Sequence, residues 1–212
     1  MDSFAYGNTP DKFERYKRFW KRSASDKPLI GFTFKSWFPL SEYRVSGGWE
    51  KTADFLSPEM VEPEDFLDDI EALLAKEDAI HDDLIRGACP AQFLPWLCAS
   101  MGCALRVMPG NILPVDMNLS WSDCHGAADG CRESAWFRKY LAFAAALAAR
   151  SAGRYPVSYG TIVGPLDLAV KLRGHEQTVL DFFDEPEESL RLLQRLAEVF
   201  VDVSKDVLAR VG

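Results

Sequence analysis

The stretch Tyr155-Pro156-Val157-Ser158-Tyr159-Gly160-Thr161-Ile162-Val163-Gly164-Pro165-Leu166-Asp167-Leu168-Ala169-Val170-Lys171-Leu172-Arg173-Gly174 decides how the fold is read. Tyr155–Gly160 is a short run of aromatic and β-branched character and reads as a strand. Gly164-Pro165 then opens a helical stretch, because proline's missing N–H costs nothing at the first helical position. Gly174 closes it. The unit is therefore a strand feeding directly into a helix.

Working outward, the same alternation recurs upstream. Leu29-Ile30-Gly31-Phe32-Thr33-Phe34 is almost continuously apolar, as in strands covered on both faces. A weaker strand is expected near Leu84–Ala88, and a short helix near Phe93–Met101 stops at Gly102. Two more strands are expected around Ala104–Val107 and Ile112–Asp116. Ser120–Cys131 is polar and glycine-containing and reads as a surface loop. Arg132–Ala152 reads as an alanine-rich helix ending at Gly153.

The ends are helical. Thr9 is an N-cap candidate with Pro10 at the first helical position, and Phe13, Tyr16, Phe19 and Trp20 follow at helical spacing. Ser57-Pro58 opens a second helical region through Phe66, Leu67, Ile70, Leu73 and Leu74. Asp184 with Glu187 forms a capping-box pattern, followed by Leu190, Leu193, Leu196, Val199, Phe200, Val203 and Val207. Between the first helix and the second lies a long aromatic loop, Lys35–Leu56, carrying Trp37, Phe38, Tyr43 and Trp49. The expected class is α/β: an N-terminal helix, then about four strand–helix units around a parallel sheet, in one domain over residues 1–212.

Composition excludes several functions. The chain has 212 residues with 24 Lys+Arg against 32 Asp+Glu, a net charge of −8. Nucleic acid is not the expected partner, since phosphate binding needs clustered cations. No apolar run approaches the roughly 18–20 residues of a membrane span, and no basic-then-apolar leader opens the chain. Five cysteines in a chain with its own apolar core argue for free thiols and a cytoplasmic location. No phosphate-binding loop and no dinucleotide fingerprint is present.

The quoted stretch resembles the fourth-strand segment of the uroporphyrinogen decarboxylase superfamily, in which a strand runs into Gly-Pro, a short helix and a glycine. Val179–Glu188 and the helix to Gly212 are similar to that family as well, as are Lys27-Pro28-Leu29-Ile30-Gly31 and Leu97–Gly102. The resemblance implies a partial (β/α)₈ barrel, with these 212 residues as its N-terminal half. It implies decarboxylase or methyltransferase chemistry on a carboxylated or methylated small molecule, a tetrapyrrole or a corrinoid. It implies no cofactor within this chain, with zinc and a corrinoid belonging to a longer parent, and a homo-oligomer or a missing C-terminal half as partner. Three decarboxylase features are replaced: no Arg follows the first strand until Arg44, Phe93 stands where a key Asp is found, and Lys171 stands where a Tyr is found. The alternative reading is a non-catalytic barrel serving as a binding or assembly subunit.

On this reading the catalytic candidates are Asp167, Tyr159 and Lys171, at the end of the fourth strand and in its helix. Asp167 suits a general base or a cap of the helix dipole, and Lys171 is placed to pair with it at i, i+4. Substrate binding is assigned to Lys35, Trp37, Gln92, Gly164 and Pro165. Lys35 is a cation past the first strand, and Trp37, Phe38 and Trp49 offer a pocket floor or loop packing. Cys124-His125 and Cys131 have loose spacing for zinc, while Cys89, Cys98 and Cys103 read as small buried hydrophobes.

Overall fold

The computed structural model describes residues 4–23, 27–33, 40–160 and 162–212. Helix α1 (Pro10–Trp20) begins where Thr9 Oγ1 accepts the Lys12 N–H at 3.3 Å, with Pro10 at the first position. The segment 40–60 is built of short turns, the one-turn helix α2 (Trp49–Thr52) and strand β1 (Phe55–Leu56). Helix α3 (Glu64–Asp78) and the short α4 (Trp96–Ser100) precede a hairpin of β2 (Leu105–Met108) and β3 (Asn111–Pro114). Five helices finish the chain: α5 (Trp121–Asp129), α6 (Ala135–Ser151), α7 (Pro165–Arg173), α8 (His175–Asp184) and α9 (Pro186–Val211).

The fold is not the parallel α/β sheet expected from the sequence, nor part of a (β/α)₈ barrel. About 60% of the described chain is helical, and its one sheet is a three-stranded antiparallel β1-β2-β3. The hairpin turns at Pro109-Gly110, where Gly110 takes φ +71° as the third residue of a type II turn demands. Leu105 and Ile112 are its buried residues. The two strands expected here exist, but a two-residue turn makes them antiparallel neighbours instead of members of separate βα units.

The other expected strands fail for a local reason. Ile30 and Phe32 donate their amides to the carboxylates of Asp83 (3.0 Å) and Asp82 (2.7 Å). Side chains thus take the groups that a ladder would use, and one main-chain bond, Asp83 N to Ile30 O at 2.9 Å, joins the two segments. Residues 155–160 meet 84–88 in a single parallel bridge, Ala88 opposite Val157. Pro156 and Pro90 have no N–H with which to extend it. The approach there is close: a Cβ on Gly87 would lie 2.6 Å from the Pro156 carbonyl oxygen.

Besides the one-turn α2 inside the expected loop, two longer helices were not expected. α5 occupies the segment read as a loop, capped by Ser120 Oγ accepting the Asp123 amide at 3.2 Å. α8 follows α7 directly across Gly174, which takes φ +89°. Asp184 ends α8 instead of capping α9, whose N-cap is Glu185 with Pro186 next.

Burial follows the helical periodicity. α9 buries Leu192, Leu196, Val199, Val203 and Val207 against α5, α6, α7 and α8, whereas Leu190 faces outward. α6 buries Phe137, Tyr140, Phe143, Ala144 and Leu147. Trp96 stacks on Tyr140 with centroids 4.8 Å apart, and Phe66 meets Phe143 at 5.3 Å and Tyr43 at 5.5 Å. Each such ring pair adds about 0.5–1.5 kcal/mol beyond its buried area, and together they lock α3, α4 and α6. No helix among the described residues is long and apolar enough to cross a membrane.

Candidate functional site

A cleft with room of about 100 Å³ opens beside the point where 84–88 meets 155–160. Ile70, Leu73, Leu74 and Glu77 of α3 form one wall, because i, i+3, i+4 and i+7 share a helix face. Tyr43 enters from the turn region, and Gly87, Ala88, Cys89 and Gln92 complete the lining. The floor is rigid, since Tyr43 is packed between Phe66 and Phe93.

Few polar groups converge here. The Cys89 thiol donates to Gln92 Oε1 at 3.7 Å. Burial pushes its pKa up to about 12, so it is a neutral thiol at pH 7 and not a nucleophile. The Tyr43 hydroxyl is also held well above its ordinary pKa, first by burial and then by its acidic surroundings, Asp69 and Glu77 among them. Tyr140 donates its hydroxyl to the Tyr159 carbonyl, and the Gly160 backbone lies so near that a Cβ there would be 3.3 Å from Cys89 Sγ.

Glu77 is the charged side chain lining the cleft. Its Oε2 lies 3.7 Å from Arg86 Nη1, but Arg86 binds Asp82 more closely, at 2.7 Å. Asp69 is held by Arg44 at 2.7 Å.

The residues expected from sequence separate. Gln92 lines the cleft, and Tyr159 stands beside it through its carbonyl. Lys171 does not pair with Asp167; its Nζ binds Asp116 at 2.6 Å. Asp167 is exposed in the first turn of α7, where a carboxylate favours the helix dipole. Gly164 and Pro165 are the N-cap and first residue of α7. Lys35, Trp37 and Phe38 lie outside the described residues, and Trp49 is buried packing. Sequence reasoning missed Tyr43, Glu77 and Cys89. Glu77 was legible as the i+7 partner of Ile70, and Cys89 only through the fold.

Among the described residues, no group of three or more His, Cys, Asp and Glu side chains gathers in a way that could hold a metal ion. Cys124 and Cys131 are buried, and burial raises their pKa values to about 11 and about 12. Comparison with protein-family models finds no match to this chain, and neither the curated proteins nor the solved structures contain one.

Proposed function

We propose that the chain binds a small methylated cation in the Tyr43–Glu77–Gln92 cleft, as part of the methyl-transfer chemistry that the resemblance to the uroporphyrinogen decarboxylase superfamily implies. The observation carrying this reading is the lining itself: one carboxylate, one aromatic ring and three aliphatic side chains. A carboxylate beside an aromatic ring attracts an alkylammonium group, with cation–π contacts contributing about 0.5–2 kcal/mol. Room of about 100 Å³ suits a ligand of a few heavy atoms.

Calorimetric titration of the purified chain with tetramethylammonium, and separately with acetate, tests it. Tetramethylammonium is expected to bind, acetate is not, and Glu77→Gln is expected to weaken the cation about tenfold, or 1.4 kcal/mol. Preferential acetate binding, or an affinity untouched by Glu77→Gln, overturns the reading. Absence of binding by either probe also overturns it and favours the binding or assembly subunit.

A further inference from the structure

The end of α4 brings two thiols together by a backbone device. Cys103 N donates to Cys98 O at 3.0 Å, and Gly102 N donates to Ala99 O at 3.0 Å, with Gly102 at φ +99°. This six-to-one and five-to-two pair of bonds is a Schellman motif, which sets the side chains of the third-last helical residue and the second residue beyond the cap against each other. In this chain both positions are cysteine. The motif makes Cys98 and Cys103 side-chain neighbours, and each is the first influence on the other's ionisation. The contact is fixed by the main chain and does not depend on rotamer choice alone.

The two sulfurs are unequal. Cys98 is held protonated first by its Cys103 neighbour and then by burial. Cys103 is shifted the other way, first by Cys98 and then, against burial and Asp116, by the Lys171 ammonium. A thiol of lowered pKa beside one of raised pKa is the order of an attacking and a resolving cysteine. Both are buried, so an oxidant that reaches them must be small. Cys89, Cys124 and Cys131 have pKa values raised to about 11–12 and lack such a partner arrangement.

We propose that Cys98 and Cys103 form a reversible disulfide site that responds to a small hydroperoxide. The Cys103 thiolate attacks one peroxide oxygen, the O–O bond breaks, and the departing hydroxide takes a proton to become water. The resulting Cys103 sulfenic acid is attacked by Cys98 sulfur; the S–O bond breaks, the Cys98 proton leaves with the hydroxyl as a second water, and the S–S bond forms. The two thiols lose two electrons and two hydrogens, and hydrogen peroxide is reduced to two waters. A small dithiol reverses the step by exchange. Lys171 and Asp116, joined at 2.6 Å, sit against the site.

Hydrogen peroxide added to the reduced chain at neutral pH tests this. Thiols alkylated after denaturation are expected to fall from the five of the sequence to three, with a mass loss of about 2 Da restored by dithiothreitol. Tryptic peptide 87–106 carries Cys89, Cys98 and Cys103, so fragmentation is expected to show Cys89 alkylated and the link within 98–103. Cys98→Ser is expected to trap a dimedone-reactive sulfenic acid on Cys103. Five surviving thiols, or a link involving Cys89, Cys124 or Cys131, overturns the proposal. The wild-type map decides the matter even where the serine variant does not fold.

Discussion

Ser189 lies in the first turns of α9 with its Oγ buried and no hydrogen-bond partner among the described residues. A buried hydroxyl without a partner has given up its water and received nothing, a debt of about 1–3 kcal/mol. The small cavity beside it is lined by apolar Trp121, Ala169, Phe182, Leu192 and Leu193 and by Arg173, Asp181 and Thr178, which are bonded to one another or to the main chain. Ser189→Ala is therefore expected to leave stability unchanged or raise it by about 1 kcal/mol, measured by urea unfolding. A loss above about 1 kcal/mol would show that the hydroxyl is satisfied in solution. At this scale the sequence was informative where the backbone alone decides, as at Thr9, Pro10 and Gly164-Pro165. It misplaced Lys171, because an i+4 Asp is visible in the chain whereas Asp116, 55 residues away, is not. The Cys98–Cys103 pairing hides for a related reason: an i, i+5 spacing carries no signal until Gly102 turns left-handed.

At the scale of elements, the corner between α7 and α8 hangs on Arg173. Its Nε and Nη2 grip Asp181 at 2.7 and 3.0 Å, Nη1 caps the Leu119 carbonyl at 2.5 Å, and its guanidinium lies 4.2 Å over the Trp121 ring. One side chain thus ties α5, α7 and α8 together. The Asp181 side chain is only 4% exposed, so Arg173→Met leaves a buried carboxylate without its counter-charge and held by Gln177 alone. The expected loss is about 3–5 kcal/mol, and the double variant Arg173→Met with Asp181→Leu is expected to recover much of it. Equal loss in single and double variants, by urea unfolding, would refute the assignment. Helices of this region were readable in part: α7 and α9 announce themselves by Pro at their first turns and by periodic leucines and valines. α5 escaped because its short polar sequence, Trp121-Ser122-Asp123-Cys124-His125-Gly126, has little apolar periodicity, and only Ser120 with Asp123 marked its start. The strands misled for the opposite reason. Leu29–Phe34 has the composition of a buried strand, but Asp82 and Asp83 claim its amides, and composition does not report which acceptor an N–H finds.

Over the whole molecule, buried titratable groups set the pH range of stability from both ends. Asp181 is held below the ordinary carboxylate range chiefly by Arg173. Glu71 is pushed upward by burial but pulled further down by Arg150 and Arg154, which join α3 to α6 and to the turn after it. A depressed folded pKa contributes stability that is complete above the unfolded value, about 4, and is lost as pH falls through the folded value. Cys89, Cys124 and Cys131 act with the opposite sign. Burial raises them to about 12, 11 and 12 from an ordinary 9.0, so the unfolded chain sheds thiol protons that the folded chain keeps. Their contribution is complete below about pH 9 and declines as pH rises toward the folded values. Urea unfolding of the reduced chain is therefore expected to give a flat maximum between about pH 5 and 8, with loss on both sides. Asp181→Asn and Glu71→Gln are expected to be less stable at neutral pH and to show a shallower acid limb, because the group that takes up the proton is gone. Stability that held constant down to pH 3, or rose from pH 8 to 10, would contradict the assignment of these carboxylates to their arginines and of these thiols to the interior.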